Sequence, residues 1–535
     1  MATNQSISQS HAGRGFSILD LPTEIQNQIC SKLCNHCTDQ YREFLLVGKS
    51  EAARANKNAL LSLSLSCQSL GLLAQRTLHH DFTLNCQCKN NLYNTKFFHF
   101  VRTLAMRADL ARSVKSLNIN LHNVGFNFRP GGPGFVFTEP RVKSPFPLND
   151  MQDLLILQER GREFRLTTPA GWIPPPSPPG SDGGFTVARM QQHPRQWPLV
   201  SGRRMFAVNL ALCLAENVEY VHLANMPCLP TGMFEHFDSV PKDHILNNCL
   251  QRLHLLKVST FTDNGHSGSA SLSELASLLE NRPNVRTLEV HSLSGPVLQL
   301  ADYLKNISIL DLFNVSYPAT ELWHLFSACE RLKRLTFIQG RPKEPLTPVM
   351  EARMREICGP KAFGNSLLGP HTRKTLRQLY IEFPLRRNGK AVLDTSLSRM
   401  TGVRKLHLDG HALYNSEAPR YNGVGRPNEP LSERIPLNLE QLHLFNVGRE
   451  SGLTEDGLNE ILKAKKNGQF PKLWKITLKR FSIWGIKYGA ATVDFSHMLL
   501  SFYDAGIVLE PLEDDEPVPE MMERVQKRLG LFHDE

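Results

Sequence analysis

One six-residue pattern recurs ten times along this chain: an apolar residue, two variable ones, an aliphatic residue that is mostly Leu, one variable, one apolar. It reads VKSLNI at 114, VEYVHL at 218, LQRLHL at 250, VRTLEV at 285 and ISILDL at 307. It continues as LKRLTF at 332, LRQLYI at 376, VRKLHL at 403, LEQLHL at 439 and LWKITL at 473. Apolar residues two apart put one face of a strand into a core. Helix-length segments separate many of these strands. Ser271-x-x-Glu274 has the capping-box spacing ahead of LASLLE, and Thr320 and Thr454 are placed to cap ELWHLFSACERL and EDGLNEILKAKK. A strand–helix unit that is apolar on both elements can bury them only against its neighbours, so the units should stack. A doubly wound domain also alternates strands and helices, but it needs no repeated template, and no phosphate-binding glycine loop follows these strands. After Val221 the spacing between units runs from 22 residues (Leu288 to Leu310) to 44 (Leu335 to Leu379), which predicts irregular units with loop insertions. The expected fold class is α/β.

The stretch before the first template has a different period. Asp20-Leu21-Pro22 reads as a helix start, with Pro22 where no backbone N–H is needed and Glu24 near the positive end of the dipole. Ile25, Ile29 and Leu33 follow at four-residue intervals, and Leu60, Leu63, Leu70, Leu73 and Leu78 lie beyond a polar interruption, ending at Phe82. Short amphipathic helices of this kind cannot bury all their apolar surface alone, so some should face another protein. Residues 1–16 read as a disordered tail and 83–113 as a helical linker. Residues 123–198 read as an insertion with a helix near Asp150–Arg160; residues 130–198 hold 13 prolines and 8 glycines.

At 535 residues the chain exceeds one compact core. The net charge is +10, yet residues 510–535 carry nine acids against three bases, leaving about +16 on the rest. That segment reads as an acidic tail with a short helix. The positive body lacks the dense Lys/Arg blocks and interleaved aromatics that would favour nucleic acid. The polar first 16 residues lack a signal-peptide core, and no apolar run of 18 residues is present. Eleven cysteines, an odd number, read as reduced thiols. Cytoplasm or nucleus is the expected location.

Motifs for chemistry fail on spacing. Gly48-Lys49-Ser50 lacks the upstream glycine of a phosphate loop, and Gly265–Ser269 lacks the second glycine of a nucleophile elbow. Cys30-x3-Cys34-x2-Cys37, with His36 adjacent and Cys86-x-Cys88 downstream, could supply zinc ligands. However, Cys30 and Cys34 fall near the buried stripe of the first helix, where cysteine serves as a small apolar residue. No metal, no cofactor and no enzymatic activity are expected.

The Leu21-Pro22-x-Glu24-Ile25 opening, Ile29, Leu33, the Leu60–Leu65 segment, Cys67, Leu70, Leu73, Leu78 and Phe82 together resemble the F-box, the module that docks onto the Skp-family adaptor of cullin–RING ubiquitin ligases. Here 26 residues, Cys34 to Ala59, separate its halves, where the family has only a few, and Phe82 stands where Trp is more frequent. The ten strand templates are similar to leucine-rich repeats. The resemblance implies an F-box-like module over 17–82 and an irregular leucine-rich-repeat solenoid over 114–509. It implies adaptor binding by Leu21, Pro22, Ile25, Ile29, Leu33, Leu60 and Leu63. Strand residues alternating with the buried leucines would meet a substrate protein: Glu289, His291, Asp311, Thr336, Tyr380, Glu382, His407 and His443. The implied function is a substrate-recognition subunit of an SCF-type ligase. The alternative is a repeat scaffold that binds its partner without recruiting a ligase, and the long insertion favours it.

Overall fold

The computed structural model describes residues 18–34, 36–38, 51–84, 92–120, 151–164, 166, 168, 197–226, 249–260, 272–280, 282–292, 297–315, 317–339, 360–383, 395–409, 430–445, 455–479 and 495–512. The chain divides into two compact units, one of Met1–Phe82 with Ser113–Ser116, the other of Thr83–Arg112 with Leu117–Glu535. The polar N-terminal tail, most of the 123–198 insertion, Cys86, Cys88, Gly48–Ser50, Gly265–Ser269 and Thr454 lie outside the described residues.

The first unit holds three helices, α1 (Thr23–Lys32), α2 (Glu51–Ser66) and α3 (Gln68–Leu78). Pro22 flanks α1 with extended backbone and gives its carbonyl to the N–H groups of Ile25 and Gln26. The side chain of buried Gln26 turns back and donates to the Leu21 carbonyl at 2.9 Å, tying the entry segment to the helix. Cys30, Leu60 and Ala74 form a core on which Leu33, Leu63, Leu73 and Leu78 pack. At Gly71 a Cβ would stand 3.0 Å from the Ser64 carbonyl oxygen, so glycine there lets α3 approach α2 closely. The buried stripe of α1 runs through Gln26 and Cys30 and not through Ile25, which is exposed.

The second unit carries α4 (Leu92–Met106), α5 (Ala108–Ala111), α6 (Met151–Glu163) and α7 (Trp197–Leu214) before most of its strands. Most of a sheet of twelve strands, which runs in strict chain order, follows in this unit. They are β1 (Asp81–Leu84), β2 (Ser116–Asn120), β3 (Tyr220–Met226), β4 (Leu255–Thr260), β5 (Thr287–His291) and β6 (Ile309–Val315). They continue as β7 (Arg334–Gln339), β8 (Gln378–Glu382), β9 (Lys405–Asp409), β10 (Gln441–Phe445), β11 (Lys475–Lys479) and β12 (Val508–Leu512). Every pair from β3 to β12 is parallel. The helices α8 (Ala276–Leu279), α9 (Ala319–Ala328), α10 (Pro360–Ser366), α11 (Thr372–Thr375), α12 (Leu431–Arg434), α13 (Glu455–Lys466) and α14 (Phe495–Asp504) fall between them. The protein is thus an α/β chain. No helix among the described residues is long and apolar enough to cross a membrane.

The template explains the register. Its first apolar residue closes a turn: the N–H of Val285 reaches the Arg282 carbonyl, Ile307 that of Leu304, Val403 that of Met400 and Leu473 that of Phe470. The following residue bonds sideways to its counterpart in the preceding unit: Arg286 to His254, Ser308 to Arg286, Lys333 to Ser308, Arg377 to Lys333, Arg404 to Arg377 and Glu440 to Arg404. The two later apolar positions then fall into unbroken rows. One row reads Val221, Leu256, Leu288, Leu310, Leu335, Leu379, Leu406, Leu442 and Ile476, and all of these are buried.

Three expectations need correction. The template at 250 is out of register: Leu256 pairs with Val221 and Leu288, so the unit begins at Leu253, three residues later. Leu250 and Leu253 both satisfy the spacing, but Leu250 has φ 58 and lies in the turn before the strand. Thr320 lies inside α9, whose N-cap is Pro318. Glu510 belongs to β12, where it meets Lys475 at 2.6 Å, and is not part of a solvated tail.

Gly402 sits in the turn before β9, where a Cβ would come within 2.5 Å of the Lys374 carbonyl oxygen and 2.7 Å of that of Leu376. Both are backbone atoms, which cannot swing aside. Gly402→Ala should therefore destabilise this unit by about 1–3 kcal/mol, the range for overpacking. Denaturant midpoints of the two chains measure it.

Candidate functional site

The variable residue between the two buried positions of each strand points to the opposite side of the sheet. Register aligns these residues into a second row, His222, Lys257, Glu289, Asp311, Thr336, Tyr380, His407, His443, Thr477 and Glu510. Every member carries a polar group. Six of the eight substrate-facing candidates lie in this row; His291 and Glu382 stand two residues further along β5 and β8.

The N-terminal half of the row is ionic. Glu289 takes a 2.5 Å bond from Lys257 and a 2.7 Å contact from His291 Nε2, all largely shielded from water. Asp311 accepts from Arg334 at 2.8 Å. Burial pushes the Asp311 carboxyl above its ordinary range, against the pull of the Arg334 charge. The C-terminal half is aromatic. His407 and His443 stack with centroids 4.1 Å apart and planes 3° from parallel, and Tyr380 lies against both His407 and Phe445. The Tyr380 hydroxyl reaches Glu382 at 3.2 Å.

The candidates differ in what they leave accessible. His291, Asp311, Thr336 and Tyr380 are buried, whereas Glu289, Glu382, His407 and His443 keep a small part of their surface accessible. His291 contacts Glu289, and Tyr380 contacts Glu382 and His407, so buried members of the set hold more accessible ones in place. Lys257, Arg334, Phe445, Lys475 and Glu510 belong to the same network and were not singled out in the sequence. Lys257 takes its place in the row once its unit is counted from Leu253.

The first unit presents apolar surface instead. Ile25 is 38% exposed and Leu65 85%, with Leu19, Leu61 and Leu72 between these values. Ile25 and Pro22 share one face of α1 with half-buried Ile29, and Leu61 and Leu65 share a face of α2, by their spacing. Of the seven expected adaptor contacts, Pro22 and Ile25 are exposed, Leu21, Ile29, Leu33 and Leu63 are half-buried, and Leu60 is buried in the core.

The same unit gathers four soft donors. Cys34, just past the end of α1, Cys37 in the following turn and His80, just past α3, converge with His36 so that one ligand atom from each lies within 4.8 Å of the others. Cys37 Sγ is 3.4 Å from His80 Nδ1 and 3.8 Å from His36 Nδ1, and Cys34 Sγ is 3.7 Å from His80 Nδ1. Hydrogen bonding from the Cys34 thiol, aided by His36 and His80, holds the Cys37 thiol well below its ordinary range, and the same shared proton pushes Cys34 up. Cys30 is buried in the apolar core, as a small hydrophobe would be. Cys34 is also buried, but its sulfur faces polar groups. Both cysteines are buried, as packing residues would be, and the Cys34 sulfur in addition lies 3.7 Å from His80 Nδ1.

The chain matches no protein-family model and no curated protein.

Burial, reinforced by the neighbouring imidazole and by Lys405, pushes His407 down to about 3; burial with Lys475 and Lys405 pushes His443 down to about 4. Both are neutral in the folded chain, while an unfolded histidine protonates near pH 6.5. The unfolded chain therefore binds more protons as pH falls from about 6.5 towards 4, and stability present above that window is lost within it. Thermal unfolding across this range should show a steeper decline for the wild type than for H407Q/H443Q.

Proposed function

We propose that this chain is a non-catalytic substrate-recognition subunit of an SCF-type cullin–RING ubiquitin ligase, working in the cytoplasm or nucleus. Residues 17–82 act as an F-box docked on the Skp-family adaptor. The strand–helix units act as an irregular leucine-rich-repeat solenoid whose polar row binds the target protein. The observation that carries the reading is the apolar surface left on α1 and α2. Pro22, Ile25, Leu61 and Leu65 sit on helices whose own core is already formed by Cys30, Leu60 and Ala74. A partner that covers such residues gains about 1.5–3 kcal/mol for each large aliphatic side chain fully buried. Holding a target on the solenoid beside the ligase's ubiquitin-loaded partner raises its effective concentration there, which requires no catalytic residue in this chain.

A scaffold that engages its target without a ligase is the second reading. The 26-residue stretch between the F-box-like halves favours it, because an insertion there can displace a docking face.

Co-expression of the full chain with a Skp-family adaptor, followed by gel filtration, separates the two. Co-elution is expected, and L61D/L65D should weaken it at least tenfold. Leu65 is largely exposed, so its change should alter stability by no more than about 0.5 kcal/mol. A folded chain that elutes without the adaptor would leave the scaffold reading in its place.

A further inference from the structure

We propose that Cys34, His36, Cys37 and His80 form a structural zinc site that fastens the end of α1 to the end of α3. The case rests on geometry. Tetrahedral zinc with Zn–S near 2.3 Å and Zn–N near 2.0 Å holds a sulfur and a nitrogen about 3.5 Å apart. Three of the four sulfur–nitrogen separations here are 3.4, 3.7 and 3.8 Å, and all four ligand atoms lie within 4.8 Å of one another.

The backbone prepares these positions. The Cys37 and Thr38 N–H groups both bond to the Cys34 carbonyl, at 3.0 and 3.2 Å, and this turn brings the two sulfurs of a Cys-x2-Cys pair to one side. His80 is fixed from its own main chain: its N–H reaches the Thr77 carbonyl at 3.1 Å, and its carbonyl accepts from Lys115 and Ser116 at 2.9 and 2.8 Å. The imidazoles of His36 and His80 meet edge to face at 6.0 Å, so each can aim a nitrogen at a shared point without stacking.

Two thiolates and two imidazoles suit zinc over magnesium or calcium, which take oxygen ligands. With four protein ligands no coordination position is open, which makes the site structural and not catalytic. Binding releases the thiol protons of Cys34 and Cys37 to solvent; nothing is oxidised or reduced. The site would join residues 43 apart in sequence and so close the loop that contains the long polar interruption. Part of the metal's binding energy then becomes folding energy of the helical unit.

The test is the metal content of the full-length chain, purified without chelator and dialysed, by plasma mass spectrometry. About one zinc per chain is expected. C34S, C37S and H80N should each reduce it to near zero, while C67S, which changes a thiol outside the cluster, should keep it. Cobalt exchanged into the wild type should give the visible absorption and thiolate charge-transfer bands of a tetrahedral S2N2 site. That measurement decides the matter even if C34S fails to fold. A folded wild-type chain that holds neither zinc nor cobalt would overturn the proposal, as would a C37S chain with full zinc. H36N that holds zinc as tightly as the wild type would remove His36 as the fourth ligand.

Discussion

A parallel strand cannot return to its neighbour through a tight hairpin, so every strand here reaches the next through a crossover of variable length. Such a sheet has no local device to fix register, and a slip of one residue would turn each row of leucines to the wrong face. What fixes it is the pair of backbone bonds ahead of each strand. The turn closed by the first apolar residue stops the incoming segment, and the sideways bond, as from Arg286 to His254 and from Ser308 to Arg286, locks it against the unit before. The buried rows follow from that lock, and loop length between units becomes free to vary.

The same lock decides where function can reside. Once the leucines are aligned, the residue between them is aligned too, and ten polar side chains come into one line from segments spread over some 290 residues, His222 to Glu510. Burial then divides the line. Glu289 and Asp311 can be shielded only because Lys257 and Arg334 accompany them, since an isolated charge in such surroundings would be far more costly. Tyr380, His407, His443 and Phe445 answer the same demand through ring stacking and neutral imidazoles. The more accessible members are thus held in place by shielded neighbours, so the row keeps its shape.

The alternating rows of the sheet were legible because a period of two survives any change in loop length. Nine of the ten templates begin a strand at their third residue; the tenth was misread because Leu250 and Leu253 offer the same spacing, and only pairing with β3 and β5 separates them. β1 and β12 carry no full template and were missed. Helix starts were less legible, as at Thr320, where Pro318 caps the helix two residues earlier than the hydroxyl suggests. Among site residues, Lys257 and Arg334 were hidden because charge pairing across strands leaves no local pattern. The thiol–imidazole cluster was hidden for a similar reason. Cys34, His36 and Cys37 are visible as a group, but His80 joins them only through the path of α2 and α3.

The helical unit poses a problem that the sheet does not. Its described core is small, with Cys30, Leu60 and Ala74 at the centre and four half-covered leucines around them. Several large aliphatic side chains stay in water. A core of this size supplies little stability against chain entropy, and small units meet that deficit with a metal, a cross-link or a partner. The proposed zinc site and the proposed adaptor interface answer the same deficit at different places. The first acts where α1 and α3 end, and the second along the exposed faces of α1 and α2. They are also linked by mass action. Anything that binds only the folded unit raises its folded population, so a metal that holds the two helix ends together would leave less of the adaptor's binding energy to be used in folding. A helical unit interrupted by so long a polar stretch has more need of that help than one with closely spaced halves.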